Sequence, residues 1–156
     1  MSGFSHLDDS GAARMVDVSG KDVSARTATA TGFVRLSPEC VAALRAGDVP
    51  KGDALAVARI AGIQAAKRTP DLVPLCHPIA IHGVTVGLSV LDDGVALEAQ
   101  VRTADRTGVE MEALTCVSVA GLALIDMVKA VDPAAVITDV RVEEKTGGKT
   151  GSWRRP

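Results

Sequence analysis

Apolar and polar positions alternate along this chain with two periods, and the switches between them mark its elements. Residues 26–36 alternate small and β-branched side chains, with Thr27, Thr29 and Thr31 running into Phe33 and Val34, which predicts a strand. Residues 84–91 and 95–103 flank Asp92-Asp93-Gly94, the pattern of a hairpin. Residues 136–144 predict a further strand with Ile137, Val140 and Val142 inward, and Met15-Val16-Asp17-Val18 has the composition of a shorter one.

Helical spacing takes over between these segments. Ser37 before Pro38 is an N-cap with proline at the first helical position, and Gly47 closes the short helix that runs to Arg45. Lys51-Gly52-Asp53 leads into a second helix over 54–69, stopped by Pro70, with Ala56, Ile60, Ile63 and Lys67 on one stripe. The third helix, over 110–131, is almost wholly apolar and stops before Pro133. Its Leu114, Val117, Gly121, Leu124, Ile125 and Val128 form the stripe expected on a sheet. A second stripe, Thr115, Val119, Leu122, Asp126 and Lys129, points elsewhere and is expected to be covered by another subunit.

The order is β-α-β-β-α-β. It predicts an α+β fold, a ferredoxin-like sandwich with an antiparallel sheet and its helices on one face. One catalytic domain is expected over 13–145, with 1–12 a flexible N-terminal tail and 146–156 a Gly- and Lys-rich tail contributing to the pocket.

Charge and composition narrow the function. With 17 basic and 19 acidic residues the chain carries a net charge of −2, which argues against nucleic acid as a partner. The longest apolar run reads as too short and too often broken by charge to span a membrane. The N-terminal residues lack a basic segment followed by an apolar one, so no signal peptide is expected. Cys40, Cys76 and Cys116 are odd in number and scattered, which suits reduced thiols in a cytoplasm. The only aromatic residues are Phe4, Phe33 and Trp153, so the core must be built from Ala, Val, Leu and Ile.

Chemistry concentrates in a few places. Asp126 and Lys129, three residues apart, share a helix face, and an acid and a base set into apolar surroundings form either a closed ion pair or a working acid–base pair. His77 lies on a turn stiffened by Pro74 and Pro78, placed for proton transfer or for a backbone hydrogen bond. Cys76, His77 and His82 match no common zinc spacing, so no metal site is expected. Glu110 and Glu112 open the third helix, where they favour its N-terminal dipole or face a ligand. Lys51, Lys67, Lys145 and Lys149 each stand beside glycine or a helix end. Lys145-Thr-Gly-Gly-Lys149 lacks the spacing and the following helix of a phosphate loop, yet can still wrap an anion with backbone N–H groups and ammonium charge.

Taken in order, several motifs resemble one family. They are Met15-Val-Asp-Val-Ser19, Lys51-Gly-Asp53, Ala58-Arg-Ile-Ala-Gly-Ile-Gln-Ala-Ala-Lys-Arg-Thr69, Leu72 to Pro78, Gly108-Val-Glu-Met-Glu-Ala-Leu-Thr115, Asp126-Met-Val-Lys-Ala-Val131 and Lys145-Thr-Gly-Gly-Lys149. The set is similar to the MoaC family, the cyclic pyranopterin monophosphate synthases of molybdenum cofactor biosynthesis. The resemblance implies a lyase that converts 3′,8-cyclo-7,8-dihydroguanosine 5′-triphosphate to cyclic pyranopterin monophosphate and pyrophosphate by general acid–base catalysis, without a cofactor. It also implies a homohexamer, a trimer of dimers with active sites at the dimer interface. Carried over residue by residue, Asp126, Lys129 and Lys51 match the catalytic positions. Leu75, Cys76, His77, Met111 and Glu112 match the substrate-contact segments, while Lys67, Asp17, Arg26, Glu110, Lys145 and Lys149 match the pocket lining. Pro70 and Arg14 stand where relatives often have an aromatic residue and a histidine.

Two readings of other classes remain beside the enzyme: a regulatory module binding a purine triphosphate at an interface, and a structural oligomerisation domain. The first has no use for an acid–base couple at Asp126 and Lys129, the second none for four lysines beside glycines or helix ends.

Overall fold

The computed structural model describes residues 5–156. In chain order the elements are β1 (Ser24–Arg35), α1 (Pro38–Ala46), α2 (Ala54–Lys67), α3 (Thr69–Leu72), β2 (Gly83–Leu91), β3 (Gly94–Asp105), α4 (Glu110–Val128), β4 (Val136–Thr146) and β5 (Trp153–Arg154). The strands form one sheet in the order β2-β3-β1-β4-β5, every pair antiparallel. Without β5 this is the expected ferredoxin-like α+β arrangement. The N-terminal tail expected over 1–12 lies partly outside the described residues; within them, Leu7 pairs with Ala13 in an isolated bridge.

Local signals placed the ends of the elements correctly where a cap or turn decides them. Ser37 Oγ accepts from the Cys40 N–H at 3.2 Å, and Gly47 ends α1 in the left-handed region at φ 72°. Asp53 accepts from the Ala56 N–H at 3.1 Å and so starts α2. Leu91 pairs with Gly94, leaving Asp92 and Asp93 as the two-residue turn. Other expectations differ. Residues 15–18 form no strand; they lie as an irregular segment held to the turn at 76–78. Pro70 does not simply stop α2: it sits in the first turn of the separate helix α3, where its missing N–H is no loss. Val140 stays 36% exposed although its Cγ2 lies 3.3 Å from the place of a Cβ on Gly32, and beside it Asp139 takes a positive φ of 57° at an irregularity in the β1–β4 pairing.

The core lies between one sheet face and two helices. Ala28, Ala30 and Val34 of β1 alternate with Thr27, Thr29 and Thr31, and stand beside Val95, Leu97, Ala99 and Val101 of β3. Against this face α4 lays Val117, Leu124 and Val128, all fully buried. Gly32 makes that approach possible, since a Cβ there would stand 2.6 Å from Val117 Cγ1.

By length and composition α4 is apolar enough to cross a membrane, contrary to the reading of its sequence. Half of that stretch is buried inside the fold, against the sheet and α2, as befits a core helix.

The partner of α4 on its next face is α2, and the contact is made by small residues. Ala54, Ala58, Gly62, Ala65 and Ala66 are buried, whereas Val57 and Ile60 are exposed. The stripe Ala56, Ile60, Ile63 and Lys67 is therefore not the packed face. Close helix approach selects glycine and alanine over volume: a Cβ on Gly62 would stand 3.0 Å from the Cys116 carbonyl oxygen and 3.2 Å from Ala120 Cβ. Gly62→Leu is expected to force α2 off α4 and lower stability by about 2 kcal/mol, a fall in Tm of several degrees. An unchanged thermal melt would show that the two helices do not pack at this point.

Candidate functional site

Asp126 leaves α4 two residues before its C-terminal end and meets two lysines. Lys129 Nζ lies 2.8 Å from Asp126 Oδ1, the i,i+3 pair expected from spacing. Lys51 Nζ lies 3.1 Å from Oδ1 and 3.2 Å from Oδ2. Lys51 reaches this point because it sits just before the Asp53 cap of α2, and α2 runs antiparallel to α4 with its N-terminus at Asp126. Hydrogen bonds from Lys129 and then Lys51 hold the Asp126 carboxyl below the usual carboxylate range. Asp126 is thus an ionised acceptor clamped between two cationic donors. All three side chains are about half exposed in the single chain, on the open stripe that also carries Leu122, itself 60% exposed.

A second group gathers at the opposite end of α4. Glu110 receives Lys145 Nζ at 3.4 Å, from the last turn of β4 pairing. Glu112 is buried, 1% exposed, with Oε1 accepting from the Cys76 thiol at 3.7 Å and Oε2 without a partner. Burial pushes the Glu112 carboxyl up to about 7, with the charge of Glu110 adding to it. Burial, reinforced by the Glu112 charge, likewise raises the Cys76 thiol to about 11, so Cys76 is a neutral donor and not a nucleophile.

The remaining candidates frame this end. His77 Nε2 donates to the Val16 carbonyl, which pins the 15–18 segment beside the proline-flanked turn and brings Asp17 into the same groove. Leu75 is half-buried on that turn and Met111 is 40% exposed beside Glu110. Asp17 accepts from the Ser19 hydroxyl and N–H, which lowers its pKa. Arg26 Nε donates to the Asp105 carbonyl at 3.2 Å, and its guanidinium lies against Gly148, where a Cβ would approach it to 2.1 Å. Gly147 and Gly148, both at positive φ, are required for that approach. Lys67 ends α2 exposed, at the Glu112 end of the helix pair, and Lys149 is exposed on the loop between β4 and β5.

The candidates therefore form two clusters, with Asp126 and Glu110 separated by 16 positions of helix, roughly 24 Å at 1.5 Å per residue.

A family model described as the MoaC family matches residues 15–148. The chain belongs to the MoaC family. The match spans both clusters and leaves out only Lys149 among the candidate residues. Over 152 residues the chain is 70% identical to the cyclic pyranopterin monophosphate synthase of Streptomyces avermitilis, covering 97% of this chain and 89% of that protein. It is 68% identical to the synthase of the same name from a Nocardioides species, covering 98% of this chain and 96% of the relative. At 57% identity stands cyclic pyranopterin monophosphate synthase 2 of Mycobacterium tuberculosis, with 97% of this chain and 91% of the relative covered.

Within this MoaC chain, reading the sequence missed Lys21 and Arg106, which line the clefts beside Arg26 and Asp17 respectively. For Lys21 a signal was present. It follows Gly20, as Lys149 follows Gly148, and directly extends the Met15–Ser19 motif.

Proposed function

We propose that this protein is a lyase of molybdenum cofactor biosynthesis that converts 3′,8-cyclo-7,8-dihydroguanosine 5′-triphosphate to cyclic pyranopterin monophosphate with release of pyrophosphate. The observation that carries the proposal is the Lys51–Asp126–Lys129 cluster, one carboxylate held by two ammonium groups at 3.1 and 2.8 Å on an open helix face. Ring hydrolysis, pyranopterin closure and phosphate cyclisation all move protons, and such a cluster supplies donors and an acceptor within reach of one another. None of these steps transfers electrons to a cofactor. The named activity of the relatives supports the same reading.

Asp126, Lys129 and Lys51 act as the catalytic group. Glu112, Met111, Leu75, Cys76 and His77 bind the heterocycle, with the buried Glu112 carboxyl and the backbone near His77 reading its polar edge. Lys67, Lys145, Lys149 and Arg26 neutralise phosphate. The separation of the two groups along α4 supports a site completed by a second copy, with the catalytic group of one protomer meeting the binding group of its partner. The open stripe of α4 with Leu122, together with the exposed Val57 and Ile60 of α2, offers apolar surface for that contact. A homohexamer of three such dimers in the cytoplasm fits the family resemblance.

The test is direct. Pure protein incubated with the cyclised nucleotide should release pyrophosphate and yield a pterin that becomes fluorescent on oxidation; neither product would appear if the reading is wrong. In the same assay Lys149→Ala should raise KM by several-fold and leave kcat nearly unchanged. A fall in kcat at constant KM would place Lys149 in the chemistry instead.

A further inference from the structure

After the turn at Gly147 and Gly148 the chain doubles back as the short edge strand β5. It lies against β4 with Trp153 opposite Lys145 and Arg154 opposite Glu144. Arg154 pairs with Glu144 at 3.2 Å, and Arg155 donates to the Glu143 carbonyl from its N–H and to the Val142 carbonyl from Nε, each at 2.8 Å. These contacts fasten the end of the chain to the sheet. Residues opposite one another in antiparallel strands project from the same face. Lys145 uses that face to reach Glu110 at the start of α4, so Trp153 stands there too. With Met111 and Val142 these residues line a cleft of about 470 Å³, within the range of small-molecule sites. The Trp153 ring is 39% exposed, and the Arg155 guanidinium lies 5.7 Å from its centroid, which holds the ring's orientation. The ring adds nothing to the core, which is built from Ala, Val and Leu. It also lies outside residues 15–148, the stretch matched to the family.

From this geometry we infer that Trp153 is a substrate-positioning residue, whose indole stacks on the fused heterocycle of the nucleotide beside Met111. The inference rests on the proposed function for the identity of the heterocycle, while the oriented ring in its cleft is a property of this chain. A planar fused base offers a π face that matches an indole in shape and polarity. The Met111 thioether, flexible and polarizable, adapts to the edge of such a ring. Stacking holds the base without donating or accepting a proton. It is made alike in the ground state and the transition state, so its loss weakens binding without slowing bound substrate.

Trp153 is the single tryptophan of the chain, so tryptophan emission from the intact protein reports this ring alone. Titration with guanosine 5′-triphosphate should quench it, and inorganic triphosphate, which carries the charge without the base, should not. By calorimetry, Trp153→Ala should weaken binding of guanosine 5′-triphosphate roughly tenfold, the size of one base–aromatic stack, and leave binding of inorganic triphosphate unchanged. Trp153→Phe, which keeps an aromatic face, should restore most of the affinity. With the cyclised nucleotide, Trp153→Ala should raise KM by a similar factor at nearly constant kcat. Equal losses for guanosine 5′-triphosphate and inorganic triphosphate would overturn the inference and reduce the ring to an anchor for the preceding turn. Unquenched emission, with wild-type affinity in Trp153→Ala, would overturn it as well and leave the ring to subunit contact. Absence of turnover in the wild type, with quenching that still requires the base, would overturn the proposed reaction and leave the stacking site standing.

Discussion

Asp126→Asn is expected to keep the fold and lose turnover by a factor of roughly 10² or more. The substitution is nearly isosteric, and the side chain is about half exposed, so no cavity and no buried unpaired group is created in the single chain. What changes is electrostatic. Lys51 and Lys129 now face a neutral amide in place of a carboxylate at 3.1 and 2.8 Å, and repel each other. The amide accepts on one side only and cannot take a proton. Lys129→Ala should produce a loss of similar size by removing the nearer donor. The kinetic measurement is kcat with the cyclised nucleotide, alongside circular dichroism and a thermal melt to establish that the variants fold. Near-normal turnover in both would take the cluster out of the mechanism and reduce it to an exposed ion pair that adds little to stability.

Glu112→Gln addresses the other end of α4 and reads out on stability. The folded carboxyl titrates at about 7, above its ordinary value of 4.5, because burial disfavours the charged form. Between these two values the folded state holds a proton that the unfolded state has released. Unfolding free energy must therefore fall as pH rises through the window from about 4.5 to 7, by a total of up to about 3 kcal/mol. Glutamine stays neutral throughout, so the variant should lose this slope and exceed the wild type in stability at pH 8. Urea midpoints measured from pH 5 to 8 at one protomer concentration settle it, since assembly also contributes to stability. Parallel pH profiles for the two proteins would mean that Glu112 remains ionised in the fold.

How far the site was legible follows from the distance over which each interaction acts. The Asp126–Lys129 pair was readable because helix geometry alone places i and i+3 on one face. That Lys51 completes it was available only through family resemblance: 75 residues separate it from Asp126, and helix packing brings them together. Hydrophobic periodicity chose the wrong face of α2, because it ranks Ile60 above Gly62, whereas the contact with α4 selects for closeness. Lys21 escaped notice because one lysine beside one glycine means little until two clefts are seen to share it. The strand β5 escaped for a similar reason. Two residues carry no period, and Trp153 is a strand residue only because Lys145 lies opposite.

The α+β class, the capped helices, the hairpin and the apolar helix with its acid–base pair were legible in the chain alone, since each depends on neighbours within a few residues. Family membership was also written in it, as motifs in order. Which helix faces meet, and which lysines reach which carboxylates across the fold, emerged only in three dimensions. Such contacts depend on side-chain volume and on chain segments far apart in sequence, and local pattern carries no record of either.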